Sequence, residues 1–241
     1  MDKFRTYILT THEEIGSGGY GVVERITLSN ILGYQGKDYA RKRLIPDASD
    51  PELHERFKRE VHCQTKCIHN NIIQIYMCDL DSSVPWFLME LAECSLEDEI
   101  AAGTLNQDDK VKIIKMVLSG LGFIHSKNYI HRDIKPLNIL KFSSGVYKLS
   151  DFGLAKSLSP AKTQFATKIG VFLGTAKYFD HGVIVHGYSP QSDIYSIGVL
   201  MEDLDMEGYD DIINKCKHRQ LNKRFVNTEQ ILTAINELEA A

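Results

Sequence analysis

The chain has 241 residues, room for one large domain or for two lobes that each bury a core, and its 43% hydrophobic and 25% charged residues mark it as globular rather than disordered. Its net charge of -4, from 28 basic and 32 acidic residues with no basic tract, gives no reason to expect a nucleic-acid or membrane partner. No apolar run reaches the roughly 18 residues of a membrane span, the opening MDKFRTYILTTHEE is too short in apolar residues for a secretory leader, and Asp2 excludes the myristoylation pattern.

Residues 14–44 alternate strand-like runs with glycine turns, and EEIGSGGYGVVERITL and GKDYARKRL predict antiparallel strands. A helix is predicted next, capped by Ser49, with Glu52 completing a capping box and Pro51 in the first turn. Leu53, Phe57, Glu60 and Gln64 share one of its faces, which turns a carboxylate inward. An inward carboxylate needs a cationic or hydrogen-bonding partner, and Lys42 on the preceding strand is the candidate. Cys63 and Cys67 lie four apart on this helix, but Cys78, Cys94 and Cys216 add no second pair at zinc-binding spacing. The five cysteines therefore read as free thiols in a reducing compartment. His62 and His69 are expected to face solvent or to pack as hydrogen-bonded side chains. NNIIQIYMCDL and VPWFLMEL predict two further strands, and the charged LAECSLEDEI reads as a linker. From Asn106 the pattern is helical, with Asn106 as cap, Asp109 at the third position and Val111, Ile114, Leu118 and Leu121 as the apolar face. Short apolar runs broken by polar loops fill 129–152, and a long loop is predicted over 153–188. Ser189 and Pro190 open a helix through Leu204, and a last helix starts near Thr228 with Ile231, Ile235 and Leu238 on one face. The order is a small antiparallel sheet lobe with one helix, then a larger, mainly helical lobe. This is an α+β plan with its boundary near residues 90–96 and a ligand expected in the cleft between lobes.

Four stretches carry chemistry. IGSGGYGVV, residues 15–23, places Gly16, Gly18 and Gly21 where backbone N–H groups can approach phosphates. Alone it also fits a flexible hairpin or a dinucleotide fingerprint, but a strand ending in Lys42 follows it rather than a helix. In Ala40-Arg41-Lys42 the alternation of a strand puts Ala40 and Lys42 on one face and Arg41 and Arg43 on the other. A small residue there leaves room for a flat base, and a lysine reaches phosphates; an isolated lysine would simply face solvent. HRDIKPLNIL, residues 131–140, sets Asp133 as a candidate general base, Lys135 as a cation for a migrating phosphoryl group and Asn138 as an oxygen ligand for Mg²⁺, with His131 read as packed and hydrogen-bonded. Asp151-Phe152-Gly153 adds a charged metal ligand and a turn.

In this order and spacing GSGGYGVV, YARK, HRDIKPLN and DFG resemble a eukaryotic-type serine/threonine protein kinase, over roughly residues 10–238 of a single domain spanning 1–241. The resemblance implies a two-lobed fold, 1–91 and 92–241. It implies ATP and Mg²⁺ as cofactors, and protein hydroxyls as acceptors. It makes Ile15, Gly16, Gly18 and Gly21 part of the phosphate-covering loop, pairs Lys42 with Glu60, and gives Asp133 and Lys135 to catalysis and Asn138 and Asp151 to the metal. Val23, Ala40 and Leu140 resemble the adenine sandwich, Met89 the gatekeeper, and Glu90 to Ala92 the hinge. Lys135 and Thr175 fit serine/threonine rather than tyrosine kinases. Asp193 in SDIYSIGV resembles the acid that anchors the catalytic loop from below. Arg132 can bind a phosphate on the long loop, where Ser157, Ser159, Thr163 and Thr167 are candidate acceptors. Thr163 and Thr167, nearest its middle, are preferred as self-phosphorylation sites. A cytoplasmic location is expected, and self-association is left open.

The chain departs from the family pattern at three places. Asp180-His181-Gly182 stands where the family has Ala-Pro-Glu, so Arg224 loses its usual acid and is expected to be exposed or to have found another. Only 11 residues separate Leu204 from Cys216, which removes most of a platform that docks protein substrates. Gln64 is polar where the family's regulatory stack is apolar, and either loosens that stack or is satisfied locally. Two further readings therefore stay beside the leading one: a catalytically weak nucleotide-binding scaffold of the same fold, and a kinase of a non-protein substrate.

Overall fold

The structure is a computed structural model in which residues 2–18, 21–32, 34–45, 52–158 and 176–241 are described. Ser49, Pro51, Ser159, Thr163, Thr167 and Thr175 lie outside the described residues. The chain forms two compact units, residues 1–65 with 73–92, and residues 66–72 with 93–241.

The first unit is a six-stranded antiparallel sheet in the order β1-β2-β3-β4-β6-β5, formed by Asp2–Phe4, Tyr7–Gly18, Gly21–Asn30, Gln35–Arg43, Trp86–Glu90 and Ile75–Asp79 respectively. It starts twelve residues earlier than the sequence patterning indicates, at Asp2 rather than at residue 14. The reason is tertiary: β1 is three residues long and acquires its pairing only from Tyr7, Ile8 and Leu9. By register one face of the sheet carries Leu9, Ile26, Trp86 and Leu88, a buried apolar cluster. Beside it lies buried Arg41, which donates to Glu24 (3.0 Å), Asp2 (2.7 Å) and Thr11 (2.9 Å). The other face carries helix α1, Leu53–Gln64, whose Phe57 ring packs against Phe87 at 5.3 Å between centroids. Glu52 is the N-cap of α1 and makes no side-chain cap bond, so it does not play the third-position role expected of it.

The second unit contains β7 (Cys94–Ser95), α2 (Leu96–Ala102), α3 (Gln107–Ser126), β8 (Tyr129–Ile130), β9 (Ile139–Lys141), β10 (Tyr147–Leu149), β11 (Lys156–Ser157), α4 (Val183–His186), α5 (Pro190–Asp203), α6 (Asp210–Cys216) and α7 (Thr228–Glu239). The strands form a three-stranded sheet β10-β9-β7 and a pair β11-β8. Residues 66–72 join this unit because the Asn71 amide donates to the Tyr147 carbonyl (3.0 Å) while the Leu149 N–H donates to the Asn71 carbonyl (2.9 Å). The expected cap of α3 is present, Asn106 Oδ1 accepting the Asp109 N–H at 2.9 Å, and Val111, Ile114, Leu118 and Leu121 are buried.

LAECSLEDEI is not a linker. Ser95 and Asp98 form a complete capping box, and α2 buries Leu96 and Glu99. Helix α7 buries Ile231 and Ile235, but Leu238 is exposed, although Glu239 beside it still meets Lys115 of α3. The stretch 153–188 is not loop throughout: β11, a short 3-10 turn at Ala176–Tyr178 and α4 fall within it.

Candidate active site

The candidate residues divide between the units. In the first, the Lys42 ammonium lies 2.6 Å from Glu60 Oε1, both side chains buried, which supplies the inward carboxylate of α1 with its cation. Lys42 pairs across the sheet with Val23 and with Phe87, and Ala40 pairs with Met89, so Val23, Ala40, Lys42 and Met89 share one face. Arg41 and Arg43 bond Glu24 on the other. Glu90, at the end of β6, accepts the Gln74 N–H at 2.9 Å, with Ala92 following it, half-buried. Ile15 is exposed, and Gly16 and Gly18 lie on β2 opposite Val23 and Gly21.

The glycines of this hairpin serve different ends. A side chain at Gly21 would meet the Arg43 carbonyl oxygen at 2.3 Å, so the fold itself needs glycine there. At Gly16 the nearest atom to an added Cβ is Val23 Cβ at 3.9 Å. Among the described residues nothing demands glycine at 16, so the missing side chain leaves room there.

In the second unit the loop 131–138 is fixed from beneath by Asp193, on α5. Its carboxylate is fully buried and accepts the His131 N–H (2.9 Å), the Arg132 N–H (2.8 Å) and the His125 ring (2.8 Å). Burial alone pushes this carboxyl up, but the His125 bond, with the charges and N–H groups around it, outweighs burial and holds it below the ordinary aspartate range. Arg132 sits at φ 70° and Asp151 at φ 58°, left-handed conformations that cost a non-glycine residue about 1 kcal/mol or more and persist only where the surroundings hold them. For Arg132 the holder is Asp193, along with a bond from its Nε to the Leu154 carbonyl and stacking over Tyr188 at 4.9 Å. His131 is buried as read from sequence. Its Nε2 meets the Ser150 carbonyl at 3.0 Å, and its ring meets Phe152 edge-on.

Asp133 is then presented with its carboxylate already engaged on one side. Oδ2 accepts from the Asn138 amide at 2.8 Å and lies 2.9 Å from the Lys135 ammonium. The Asn138 nitrogen also donates to the Asp133 carbonyl at 2.9 Å, so the amide is oriented through its nitrogen. Leu140, on β9, is half-buried, and Asp151 Oδ1 accepts the Gly153 N–H at 3.3 Å. Among the described residues no cluster of three His, Cys, Asp or Glu side chains could hold a metal by itself. Asn138 and Asp151 offer one amide and one carboxylate, a set suited to Mg²⁺ that takes its remaining oxygens from phosphate and water.

Two of the sequence departures resolve locally. Arg224 is 3% exposed and lies 2.6 Å from Asp180 Oδ2, with the Gln191 and His218 carbonyls as further acceptors, so the lost acid is replaced by another. An added Cβ at Gly182 would meet Asp180 Oδ1 at 3.0 Å, and the Gly182 N–H donates to that same oxygen, so the acid at 180 and the glycine at 182 are one arrangement. Gln64 is buried and donates to the Ile73 carbonyl at 3.0 Å, so it is satisfied. Sequence reasoning missed the bond of His125 to Asp193, 68 residues away, and the engagement of Asp203 by Lys177 and Tyr178. Neither pairing has a local signal.

Residues 9–237 match the model of the protein kinase domain. The chain is 31% identical over 225 residues to the probable serine/threonine-protein kinase fhkB of Dictyostelium discoideum, covering 89% of this chain and 19% of that protein. It is 36% identical over 195 residues to the serine/threonine-protein kinase sid1 of Schizosaccharomyces pombe, covering 79% and 39%. To the serine/threonine-protein kinase PknL of Mycobacterium tuberculosis it is 34% identical over 160 residues, covering 65% and 39%. The chain thus spans about a fifth to two fifths of the length of these curated relatives.

Proposed function

The chain belongs to the protein kinase family, and from that premise we propose that it transfers the γ-phosphoryl group of ATP, with Mg²⁺, to serine or threonine hydroxyls of proteins. The observation that carries the reading is the Asp133 carboxylate, bonded at Oδ2 by Asn138 and Lys135, on a loop whose His131 and Arg132 N–H groups are held by Asp193. Oδ1 is the oxygen turned to an acceptor hydroxyl, whose proton it takes as the phosphoryl group arrives. Lys135 offsets charge on the migrating group. Lys42, oriented by Glu60, holds the α- and β-phosphates, with Ile15, Gly16, Gly18 and Gly21 covering them. Val23, Ala40, Met89, Glu90, Ala92 and Leu140 take the base. Asn138 and Asp151 would hold the Mg²⁺, which would supply positive charge to offset that of the phosphates. Most of the rate enhancement in phosphoryl transfer comes from positioning and charge stabilisation, which is what these fixed groups supply.

The reading extends to regulation and setting. Self-phosphorylation at Thr163 or Thr167 supplies a phosphate for Arg132. The reducing cytoplasm is the expected compartment, the five cysteines being free thiols. Among the described residues no helix is long and apolar enough to cross a membrane.

The test is incubation with labelled ATP and Mg²⁺, alone and with a generic basic protein, beside Asp133→Asn. Label on serine or threonine that falls about 10²–10⁴-fold in the variant, at an unchanged melting temperature, supports the reading. Equal labelling by both proteins would overturn it. ADP release without protein label would instead point to a small-molecule acceptor, and nucleotide binding without either to a scaffold. Peptide mass spectrometry of the labelled enzyme tests Thr163 and Thr167; an active enzyme with that loop unmodified would remove the self-phosphorylation proposal.

A further inference from the structure

One end of the six-stranded sheet has a composition unlike the rest of the chain. The β1–β2 turn, Arg5-Thr6, lies beside the β3–β4 turn, because the Ile31 N–H donates to the Thr6 carbonyl at 3.1 Å and Tyr7 pairs with Asn30. The β3–β4 turn is tied by the Asn30 side chain and backbone. Asn30 Oδ1 accepts the N–H groups of Leu32 (3.0 Å) and Tyr34 (2.9 Å), and the Asn30 N–H donates to the Tyr34 carbonyl (3.0 Å). This frame holds Ile31, Leu32 and Tyr34 in solvent at 55%, 89% and 78% exposure, with Tyr7 exposed beside them. Large apolar side chains clustered this far out mark a contact surface, whereas singly scattered ones do not.

Charge on this end is one-sided. The segments that form it, residues 3–9 and 26–37, contain Lys3, Arg5 and Lys37 and no acid, in a chain with 32 acids and a net charge of -4. All three cations are exposed. The nearest carboxylates in sequence are already committed, Asp2 to Arg41 and Asp38 to Arg25 and Thr27. Arg5 holds φ 55°, in a two-residue hairpin turn where asparagine or glycine is the usual choice, and its guanidinium lies over the Phe4 ring at 5.3 Å.

We propose that this sheet end docks on an anionic lipid bilayer. The exposed apolar side chains stand beside three exposed cations, a pairing that complements a surface apolar within and anionic at its face. A bilayer accepts exposed apolar side chains without a matching pocket. Ile31 and Leu32 enter the acyl boundary, Tyr7 and Tyr34 sit at headgroup level where tyrosine is favoured, and Lys3, Arg5 and Lys37 meet anionic headgroups. The expectation of no membrane partner rests on cations dispersed along the sequence; hairpin pairing gathers three of them. The proposal is independent of the phosphoryl-transfer reading, since none of these residues belongs to the candidate active site.

The experiment is co-sedimentation of the whole chain with phosphatidylcholine vesicles and with vesicles of the same size containing phosphatidylserine, at low and high salt. Two double variants accompany it, Leu32→Ser with Tyr34→Ser, and Arg5→Glu with Lys37→Glu, all at exposed positions and checked by melting temperature. The chain is expected to pellet with phosphatidylserine vesicles, weakly at high salt, and each variant to bind at least about tenfold less. Failure to pellet with phosphatidylserine vesicles, equal pelleting with phosphatidylcholine alone, or unchanged binding by the variants would each overturn it. So would light scattering that shows a dimer dissolved by the Leu32→Ser, Tyr34→Ser variant, which would seat a second copy on this tip.

Discussion

At Arg224 a buried guanidinium has, among the described residues, three acceptors of two kinds, one carboxylate and two backbone carbonyls, and of these the carboxylate neutralises it. Asp180→Ala is therefore expected to cost about 3 kcal/mol in urea unfolding, the penalty of a buried charge left unpaired. Adding Gly182→Glu to that variant places an acid where the family carries one, in the space the smaller alanine vacates, and is expected to restore part of the loss. The same Gly182→Glu change made alone crowds Asp180 and is expected to destabilise. Opposite signs in the two backgrounds are the readout, and equal effects would refute the coupling. Asp193 makes a pH prediction. Its carboxyl is held below the ordinary value, so the stability it contributes is fully present above its unfolded pKa and is lost as pH falls through the lower folded value. Wild type is expected to melt higher than Asp193→Asn at neutral pH, the gap closing below about pH 4. A gap constant across pH would exclude this role for the charge.

The elements differ in how far they could be read without coordinates. Helix α3 was legible because a cap, an acid at the third position and twenty residues of helical spacing repeat one message. Helix α2 was not: seven residues hold too little of a period, and LEDEI looks solvated. Its burial comes from partners far along the chain, Glu99 meeting Lys141 and Tyr147. The Tyr147 hydroxyl is accordingly pushed well above its usual range, by burial first and then by Glu99. The candidate site was legible where its parts are local, as within residues 131–138, or where strand alternation and helical spacing aim two side chains at each other, as for Lys42 and Glu60. The Asp180–Arg224 pair escaped because its acid had moved two residues along the chain, and no spacing rule joins positions 44 apart. For α2 the capping box gives a direct test. Ser95→Ala is expected to cost about 1 kcal/mol in chemical denaturation, and an unchanged midpoint would mean that tertiary contacts alone hold the helix.

For the whole molecule, the thiols report on how it opens. Burial pushes Cys67 up to about 11 and Cys216 up to about 12, and both are enclosed, whereas Cys78 and Cys94 are half-buried. At neutral pH an alkylating reagent is expected to label Cys78 and Cys94 first, and Cys67 and Cys216 only at the rate of unfolding of the second unit. Early labelling of Cys216 would show that α5 and α6 separate locally. The sheet order bears on how the protein is made. Strands β2, β3 and β4 each pair with their predecessor, so they can close as they leave the ribosome. The far side of β4 pairs with β6, and β6 lies between β4 and β5. From Arg43 until Trp86 has been synthesised, about 2–9 s at ordinary translation rates, that edge has no partner in the nascent chain. The edge is the strand that carries Lys42. An unpaired strand edge is a template for pairing with another chain, so the early danger to this protein is capture during translation, at the strand on which its proposed activity depends.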